Sequence, residues 1–237
     1  MPRFRYAQHC PLARATEIVG HRWTLLVVRE LLLGPKRFSD LLRPLAGVST
    51  SVLAERLTLL EEQGIVTQRA LGPPTPAVLY ELTESGRGLM PVVIALARWG
   101  ARFLGEPQPG DHFEPDWLRL GLAMYARRSA SPPVTIAITL GAGEQAIRFR
   151  VEGGSDGTAI RDPGPAQVAI RAATPLPLMA MALGLLHPLE AVRGGEIEIE
   201  EGGDPAALEV FPALFDASGA IDPGAKILGT PNQQGDQ

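Results

Sequence analysis

Apolar residues at the start of the chain recur with the spacing of an amphipathic helix, and proline and glycine divide them into separate elements. Pro11 stands where the first turn of a helix tolerates proline, and the short helix that it opens ends at Gly20. A longer apolar run over 22–33 predicts a second helix. It stops at Gly34-Pro35 because glycine suits the cap and proline cannot continue a helix.

Two further helices are predicted on either side of a tight turn at residues 46–48. Ser39 is placed to cap the first of them, around 40–45, and Ser49 to cap the second, over 50–63. In the second helix the apolar residues follow a 3.6-residue period and predict a core-facing side, formed by Val52, Leu53, Leu57 and Leu60.

Two β-rich runs, 65–71 and 78–83, follow this helix and predict a hairpin around a proline-rich loop. Thr83 then begins a helix that continues to about residue 104, with a bend at Pro91. Residues 105–111 have the Gly, Pro and acidic composition of a linker.

Beyond the linker, short alternating or β-branched runs separated by Gly, Asp and Pro predict a meander of strands, with helices towards the end. The strands cover 134–140, 145–152, 157–162, 167–173 and 195–201, and the helices cover 176–186, 188–194 and 204–215. The fold class is therefore α+β. The polar residues from about Gly224 onwards are expected to fray.

Composition excludes several classes and separates the two halves by charge. The single cysteine, Cys10, rules out intrachain disulfides, and the four histidines lack metal-ligand spacing, so no metal site is expected. The chain has neither a membrane-spanning apolar run nor a signal-peptide core, which predicts a cytoplasmic protein. Residues 1–105 carry a formal charge of +5 and residues 106–237 carry −9, so the first half alone attracts a polyanion.

Signatures of catalysis are missing from the sequence. It contains no G-x-S-x-G elbow and no phosphate-binding loop, and Gly141-Ala142-Gly143 reads only as a turn between strands. We therefore expect no enzyme activity, no catalytic residues and no cofactor.

Helices with a tight turn before the last of them, followed at once by a hairpin, have the order of a winged helix-turn-helix. The helix after the turn would offer its polar face to the major groove, where base edges differ in donors and acceptors. Glu55 would either accept from a cytosine amino group or hold a neighbouring arginine. The residues predicted to meet DNA are Thr50, Ser51, Ala54, Glu55 and Thr58 for bases, Lys36, Arg37, Arg43, Arg56 and Arg69 for phosphates, Ser49 at the start of the helix and Thr75 in the wing loop.

An ordered set of motifs runs through residues 10–104: Cys10-Pro11, Gly20-His21-Arg22-Trp23-Thr24, Gly34 to Ser39, Val48-Ser49, Leu60-Glu61, Gly64-Ile65-Val66, Tyr80 to Thr83, Gly86 and Trp99-Gly100. This pattern resembles the HxlR family of winged-helix regulators, which are relatives of the MarR type. The resemblance implies a homodimer, built from the N-terminal segment and the last helix of the domain, on a two-fold-related operator. His21 departs from the glycine or lysine that is frequent in the family.

Two interpretations of Cys10 stay open. In some members of the family a cysteine at the matching position senses oxidants or electrophiles, and a helix that starts at Pro11 would favour a thiolate through its dipole. The alternative is a small buried core residue.

The second half carries its own pattern, in Leu178 to Gly184, His187 to Ile197 and Gly203-Asp204-Pro205. Residues 115–216 are thereby similar to the sterol carrier protein 2-like domain, which implies an apolar tunnel for a hydrophobic ligand. The residues that would line it are Leu178, Met179, Met181, Leu183, Leu185, Leu186, Phe211 and Phe215. The alternatives are that these side chains fill a core or that the domain mediates dimerisation or partner contacts.

The sequence thus predicts a winged helix-turn-helix DNA-binding and dimerisation domain over 1–105, a sterol-carrier-protein-like α+β domain over 113–223 and a flexible tail over 224–237. The predicted function is that of a homodimeric regulator that binds double-stranded DNA and responds to a hydrophobic effector. The alternative is a lipid or small-molecule carrier or sensor whose winged helix mediates protein contacts.

Overall fold

A computed structural model describes residues 5–73, 76–103, 108, 110–143, 146–200 and 202–217, with the side chain of Arg102 left out. The chain divides into two units, Met1–Leu96 and Ala97–Gln237. Most of the predicted linker and all of the predicted tail lie outside the described residues.

The first unit combines helices with a three-stranded antiparallel sheet of order β1-β3-β2. Its strands are β1 (Lys36–Arg37), β2 (Val66–Leu71) and β3 (Ala77–Leu82). Its helices are α1 (Pro11–Val19), α2 (Thr24–Leu32), α3 (Phe38–Leu42), α4 (Thr50–Glu62), α5 (Glu84–Arg87) and α6 (Met90–Gly100), which ends beyond the unit boundary.

Apolar side chains from α2, α3, α4 and the sheet form the core of the first unit. The predicted face of α4 is buried at Leu53, Leu57 and Leu60, whereas Val52 is only partly buried. Burial of one such leucine contributes about 1.5–3 kcal/mol. The core as a whole comprises Val27, Val28, Leu31, Leu41, Leu45, Leu53, Leu57, Leu60, Ile65, Val66 and Leu82.

Two predicted helix starts are wrong. Helix α2 begins at Thr24 instead of residue 22, because Trp23 adopts a left-handed backbone with φ of 77° and serves as the N-cap. Ser39 does not cap α3. It lies inside that helix, which Arg37 precedes as N-cap because Lys36 and Arg37 form the unpredicted strand β1.

The helix predicted from Thr83 to residue 104 is also wrong, because it is divided. Thr83 caps only the short α5, where its Oγ1 accepts from the Gly86 N–H at 3.1 Å. The chain turns at Gly88, and Pro91 occupies the first turn of α6 instead of bending a longer helix. Proline lacks the N–H and crowds the carbonyl four residues earlier, so it belongs in a first turn.

The second unit is built on a five-stranded mixed sheet of order β6-β5-β4-β7-β8. The strands are β4 (Thr135–Leu140), β5 (Ile147–Gly154), β6 (Gly157–Arg161), β7 (Val168–Ala172) and β8 (Ile197–Ile199). The helices are α7 (Trp117–Tyr125), α8 (Leu176–Ala182), α9 (Pro188–Arg193) and α10 (Pro205–Glu209), and a 3-10 turn follows over Phe211–Leu214.

The prediction of a simple meander is wrong at β7. Strands β4, β5 and β6 pair antiparallel in sequence order, but β7 runs parallel to β4, with Ile138 opposite Ile170. Alternation along a strand predicts which side chains face a core, and β7 follows it with Val168, Ile170 and Ala172 buried. The alternation carries no information on whether the neighbouring strand runs parallel or antiparallel.

The helices of the second unit are shorter than predicted, and α7 was not predicted. Helix α8 ends before Gly184, whose φ of 71° is left-handed, and the run over 204–215 is divided at Val210. Gly121 interrupts the apolar pattern of α7. It permits a close approach, since a Cβ there would lie 3.3 Å from Met179 Sδ.

Candidate DNA-binding surface

Helix α4 presents a row of short side chains on its exposed face. The preceding turn depends on Gly47, which has φ of 89°, and closes with a 2.9 Å bond from the Val48 N–H to the Leu45 carbonyl. Ser49 Oγ accepts from the Val52 N–H at 3.3 Å and thereby caps the helix, as predicted. The exposed residues that follow are Thr50, Ser51, Ala54 and Thr58.

On the flank of this face, Glu55 and Arg56 form an ion pair, with 3.3 Å between Oε2 and Nη2. This contact corresponds to the second of the two roles predicted for Glu55. The Arg56 side chain is only 13% exposed, and none of the described residues forms a hydrogen bond with its buried Nε and Nη1. Arg56 is therefore poorly placed to reach a phosphate in this conformation.

Lys36 lies in an ionic cluster around the buried Glu30. The Glu30 side chain is 1% exposed, and Lys36 Nζ donates to its Oε2 at 2.9 Å while Arg29 Nη2 lies 2.7 Å from its Oε1. An ionised carboxylate in the interior requires such partners. Sequence inspection missed Glu30; an acid inside the apolar run of α2 was the available signal.

The hairpin is tied to α4 and carries an exposed arginine. Gln68 Nε2 on β2 donates to Glu61 Oε2 on α4 at 3.1 Å, while Arg69 pairs with Glu81 across the hairpin at 3.1 Å. Burial and the Glu61 carboxylate raise the pKa of Tyr80 on β3. Arg37 and Arg43 are exposed, and Thr75 lies outside the described residues.

Cys10 is exposed at the N-cap of α1, so the alternative that it is a buried core residue is wrong. It borders a cleft of about 900 Å³ in the first unit. The cleft is lined by Arg5, Gln8, His9, Cys10, Pro11, Arg14, Glu17, Glu62 and Gln63.

One hydrogen-bond network in this cleft joins α1 to the end of α4. Arg14 donates from Nη1 to Glu17 Oε2 at 3.1 Å and from Nη2 to Gln63 Oε1 at 2.8 Å. The Tyr6 N–H donates to Glu17 Oε1 at 2.8 Å. That bond holds the pKa of the Glu17 carboxyl below its usual value, and Arg14 acts in the same direction against the effect of burial.

The residues predicted to line a ligand tunnel lie in or against the core of the second unit. Leu178, Met181 and Phe211 are fully buried and Phe215 is 3% exposed. Met179, Leu183 and Leu186 are partly buried against the same core, whereas Leu185 is 49% exposed. Their ligand-binding role stays a prediction.

Within the part of the chain that the structure describes, three or more His, Cys, Asp or Glu side chains nowhere form a group that would hold a metal ion. Among the same residues, no helix combines the length and the apolarity that a membrane crossing requires.

Comparison with known proteins places the first half of the chain in a family. The sequence model of a protein family, described as HxlR-like helix-turn-helix, matches residues 18–108. An uncharacterised HTH-type transcriptional regulator of Synechocystis is 37% identical over 103 residues, which are 44% of this chain and 76% of that protein. The HTH-type transcriptional regulator YodB of Bacillus subtilis is 38% identical over 104 residues, 43% of this chain and 89% of YodB.

The chain belongs to the HxlR-like helix-turn-helix family. Its first unit is a winged helix-turn-helix of a transcriptional regulator. The relatives of this HxlR-type chain are transcriptional regulators and not enzymes, in agreement with the expectation. The solved structure of reduced YodB covers 44% of this chain and all of YodB, with 35% identity and a TM-score of 0.37. A relative from Mycobacterium tuberculosis is 38% identical over 97 residues, and the match covers 61% of its length.

Proposed function

We propose that this chain regulates transcription as a homodimer that inserts α4 into the major groove of double-stranded DNA. The observation that carries the proposal is the exposed face of α4. Its side chains are short enough to let the helix approach base edges, and threonine and alanine methyl groups suit the methyl group of thymine. The cap at Ser49 and the core contacts of Leu53 and Leu57 hold this face at the surface.

DNA binding is tested by fluorescence anisotropy on the full chain, with duplexes selected from a random pool and measured at two salt concentrations. Thr58→Glu places a negative charge on the exposed face without touching the core, and we expect it to weaken binding at least about tenfold. Thr174→Glu changes an exposed threonine of the second unit and serves as the matched control. Wild-type protein that binds no duplex at low salt would overturn the proposal.

Dimerisation is supported by apolar side chains that the single chain leaves exposed in the first helix and on α6. Leu12 of α1 is 74% exposed, and on α6 Leu96 is 45% and Trp99 56% exposed. Exposed apolar groups on neighbouring turns of one helix favour burial against a second copy of the chain.

Sedimentation equilibrium of the full chain tests the homodimer. We expect Leu96→Glu to shift the protein to monomer and Leu185→Glu, at a comparably exposed leucine of the second unit, to leave the dimer intact. A wild-type chain that stays monomeric at tens of micromolar would contradict this part of the proposal.

Cys10 is the candidate sensor of electrophiles. The relative YodB has been solved in a reduced form and in a quinone-bound form. In this chain the exposed thiol borders a cleft of about 900 Å³, which is large enough for a small ring, and Arg14 connects α1 to Gln63 at the end of α4. The sulfur would bond to a quinone ring carbon while its proton passes to one quinone oxygen. The hydrogen on the attacked carbon would then shift to the other oxygen, which gives a hydroquinone thioether.

The sensor role is tested by treating the DNA-bound protein with benzoquinone. We expect a mass increase of one quinone on Cys10 and altered DNA affinity, and we expect both to vanish in Cys10→Ser. If benzoquinone changes the DNA affinity of Cys10→Ser as much as that of the wild type, the sensor role is refuted.

For the second unit we propose a hydrophobic effector, as the sterol-carrier resemblance implies. Because Leu178, Met181 and Phe211 fill a packed core, a ligand would have to open that core. Native mass spectrometry after exposure to fatty acids and a lipophilic dye tests the proposal, and a protein that stays unliganded refutes it.

A further inference from the structure

Several cations that the sequence singled out for phosphates are already paired with carboxylates. Lys36 is bonded to the buried Glu30, and Arg69 is paired with Glu81. Arg56 is mostly buried beside Glu55. To bind a phosphate, such a cation must leave its partner, and for Lys36 that would remove a cation from a carboxylate in the interior.

Arg22 differs from these cations in its surroundings. It is exposed, and the described residues provide it with no carboxylate or other hydrogen-bond partner. Its guanidinium carbon lies 5.1 Å from the centroid of the Trp23 ring. Stacking of this kind restrains the planar guanidinium while its N–H donors remain free for an anion.

The backbone places this stacked pair next to the turn before α4. Trp23 has φ of 77°, an uncommon conformation for a residue with a side chain, and such strain is found where a side chain must be held in a particular place. A Cβ on Gly47 would lie 3.9 Å from Trp23 Cη2. Gly47 precedes the N-cap residue Ser49 by two positions, so the Trp23 ring lies beside the start of the helix with the exposed polar face.

We propose that Arg22, stacked on Trp23, binds a DNA backbone phosphate at the N-terminal end of α4 and so fixes the register of that helix on the duplex. The assignment rests on the proposed DNA-binding function. An arginine matches a phosphate with two parallel N–H donors, and such a contact positions a protein without reading sequence. Arg22 has no ion pair with the described residues that would have to break for this contact.

The test compares Arg22→Gln, Arg22→Lys and the control Arg128→Gln, an exposed arginine of the second unit, in the anisotropy assay. We expect Arg22→Gln to weaken binding about tenfold for every duplex and to reduce the slope of log K against log salt by about 0.9, the value for one phosphate. Arg22→Lys should restore the slope but only part of the affinity, because lysine retains the charge but lacks the planar guanidinium that stacks on Trp23 and offers two parallel N–H donors. Arg128→Gln should match the wild type.

Three results would overturn the assignment. In the first, Arg22→Gln binds DNA with wild-type affinity and salt slope while Thr58→Glu is defective. This result would show that Arg22 does not contact the DNA, and the proposed function would still hold. A change in preference between duplexes, instead of a uniform loss, indicates a base contact. Wild-type protein without DNA affinity refutes the function and this assignment together. Near-ultraviolet circular dichroism of each variant verifies that the aromatic side chains, Trp23 among them, remain packed as in the wild type.

Discussion

The two units place their polar and apolar residues differently. The first unit buries a modest core and leaves exposed the short polar face of α4 together with the apolar Leu12 and Leu96. In the second unit, apolar side chains that the sequence predicted to line a ligand tunnel, such as Leu178 and Phe211, lie in the core around the five-stranded sheet. Exposed side chains such as these are available to a binding partner, whereas the buried ones are already explained by packing within the unit.

Truncation of fully buried side chains should have the largest effect and should separate the two cores. Leu57 is 1% exposed in the first unit and Phe211 is 0% exposed in the second. We expect Leu57→Ala and Phe211→Ala to cost about 2–5 kcal/mol each, from lost transfer energy and the cavity left behind. Hydrogen exchange read by mass spectrometry should locate the first loss in α4 and the second in the sheet.

The control for this pair is Leu185→Ala, since that side chain is 49% exposed and leaves little cavity. Slow exchange in α4 of the Leu57→Ala variant, equal to that of the wild type, would show that the first core does not depend on this contact.

Each unit also contains a glycine at a close backbone approach, and alanine there should have the next largest effect. A Cβ on Gly86 would clash with the Ile65 carbonyl, and one on Gly153 with the Pro132 carbonyl, whereas Gly154 has open space. We expect Gly86→Ala and Gly153→Ala to lose about 1–3 kcal/mol, because a packed backbone must shift. Urea unfolding should show Gly154→Ala near the wild type; three equal midpoints would contradict the geometry.

Local signals were predictable from sequence, and tertiary ones were not. The Ser49 cap and the turn at Gly47 depend on neighbours within a few residues, and they were predicted correctly. The parallel pairing of β7 and the bond from Lys36 to Glu30 depend on where distant segments meet. The apolar pattern of α8 is the same for a packed core and for a ligand tunnel, so the sequence left both open.

Helix capping provides a smaller test of the same distinction, in the first unit alone. Ser49 accepts a backbone N–H at the start of α4, whereas Ser39 lies inside α3 and its hydroxyl donates to Asp40 Oδ1 at 3.3 Å. We expect Ser49→Ala to cost about 1 kcal/mol and Ser39→Ala much less. Thermal unfolding of the two variants measures the difference, and an equal loss in both would favour the cap first predicted at Ser39.

The smallest expected effect is a pH dependence that belongs to the first unit. The Tyr6 N–H and then Arg14 stabilise the ionised Glu17 and lower its pKa from 4.5, although burial opposes them. A carboxyl whose pKa is lower in the folded state stabilises the protein at pH above the unfolded value, and that contribution is lost as the pH falls through the folded value. We therefore expect Glu17→Gln to be less stable than the wild type at pH 7, with the difference shrinking below about pH 4.5.

The matched control is Glu209→Gln, which removes an exposed carboxylate from α10 of the second unit. Urea unfolding between pH 3 and 7 should give parallel curves for Glu209→Gln and the wild type, and a flatter curve for Glu17→Gln. A Glu17→Gln curve parallel to the wild type would show that the network from Tyr6 through Arg14 to Gln63 contributes nothing to folding. The link from α1 to α4 would then be free to open, and the proposed path from Cys10 to the DNA-binding helix would lose its physical basis.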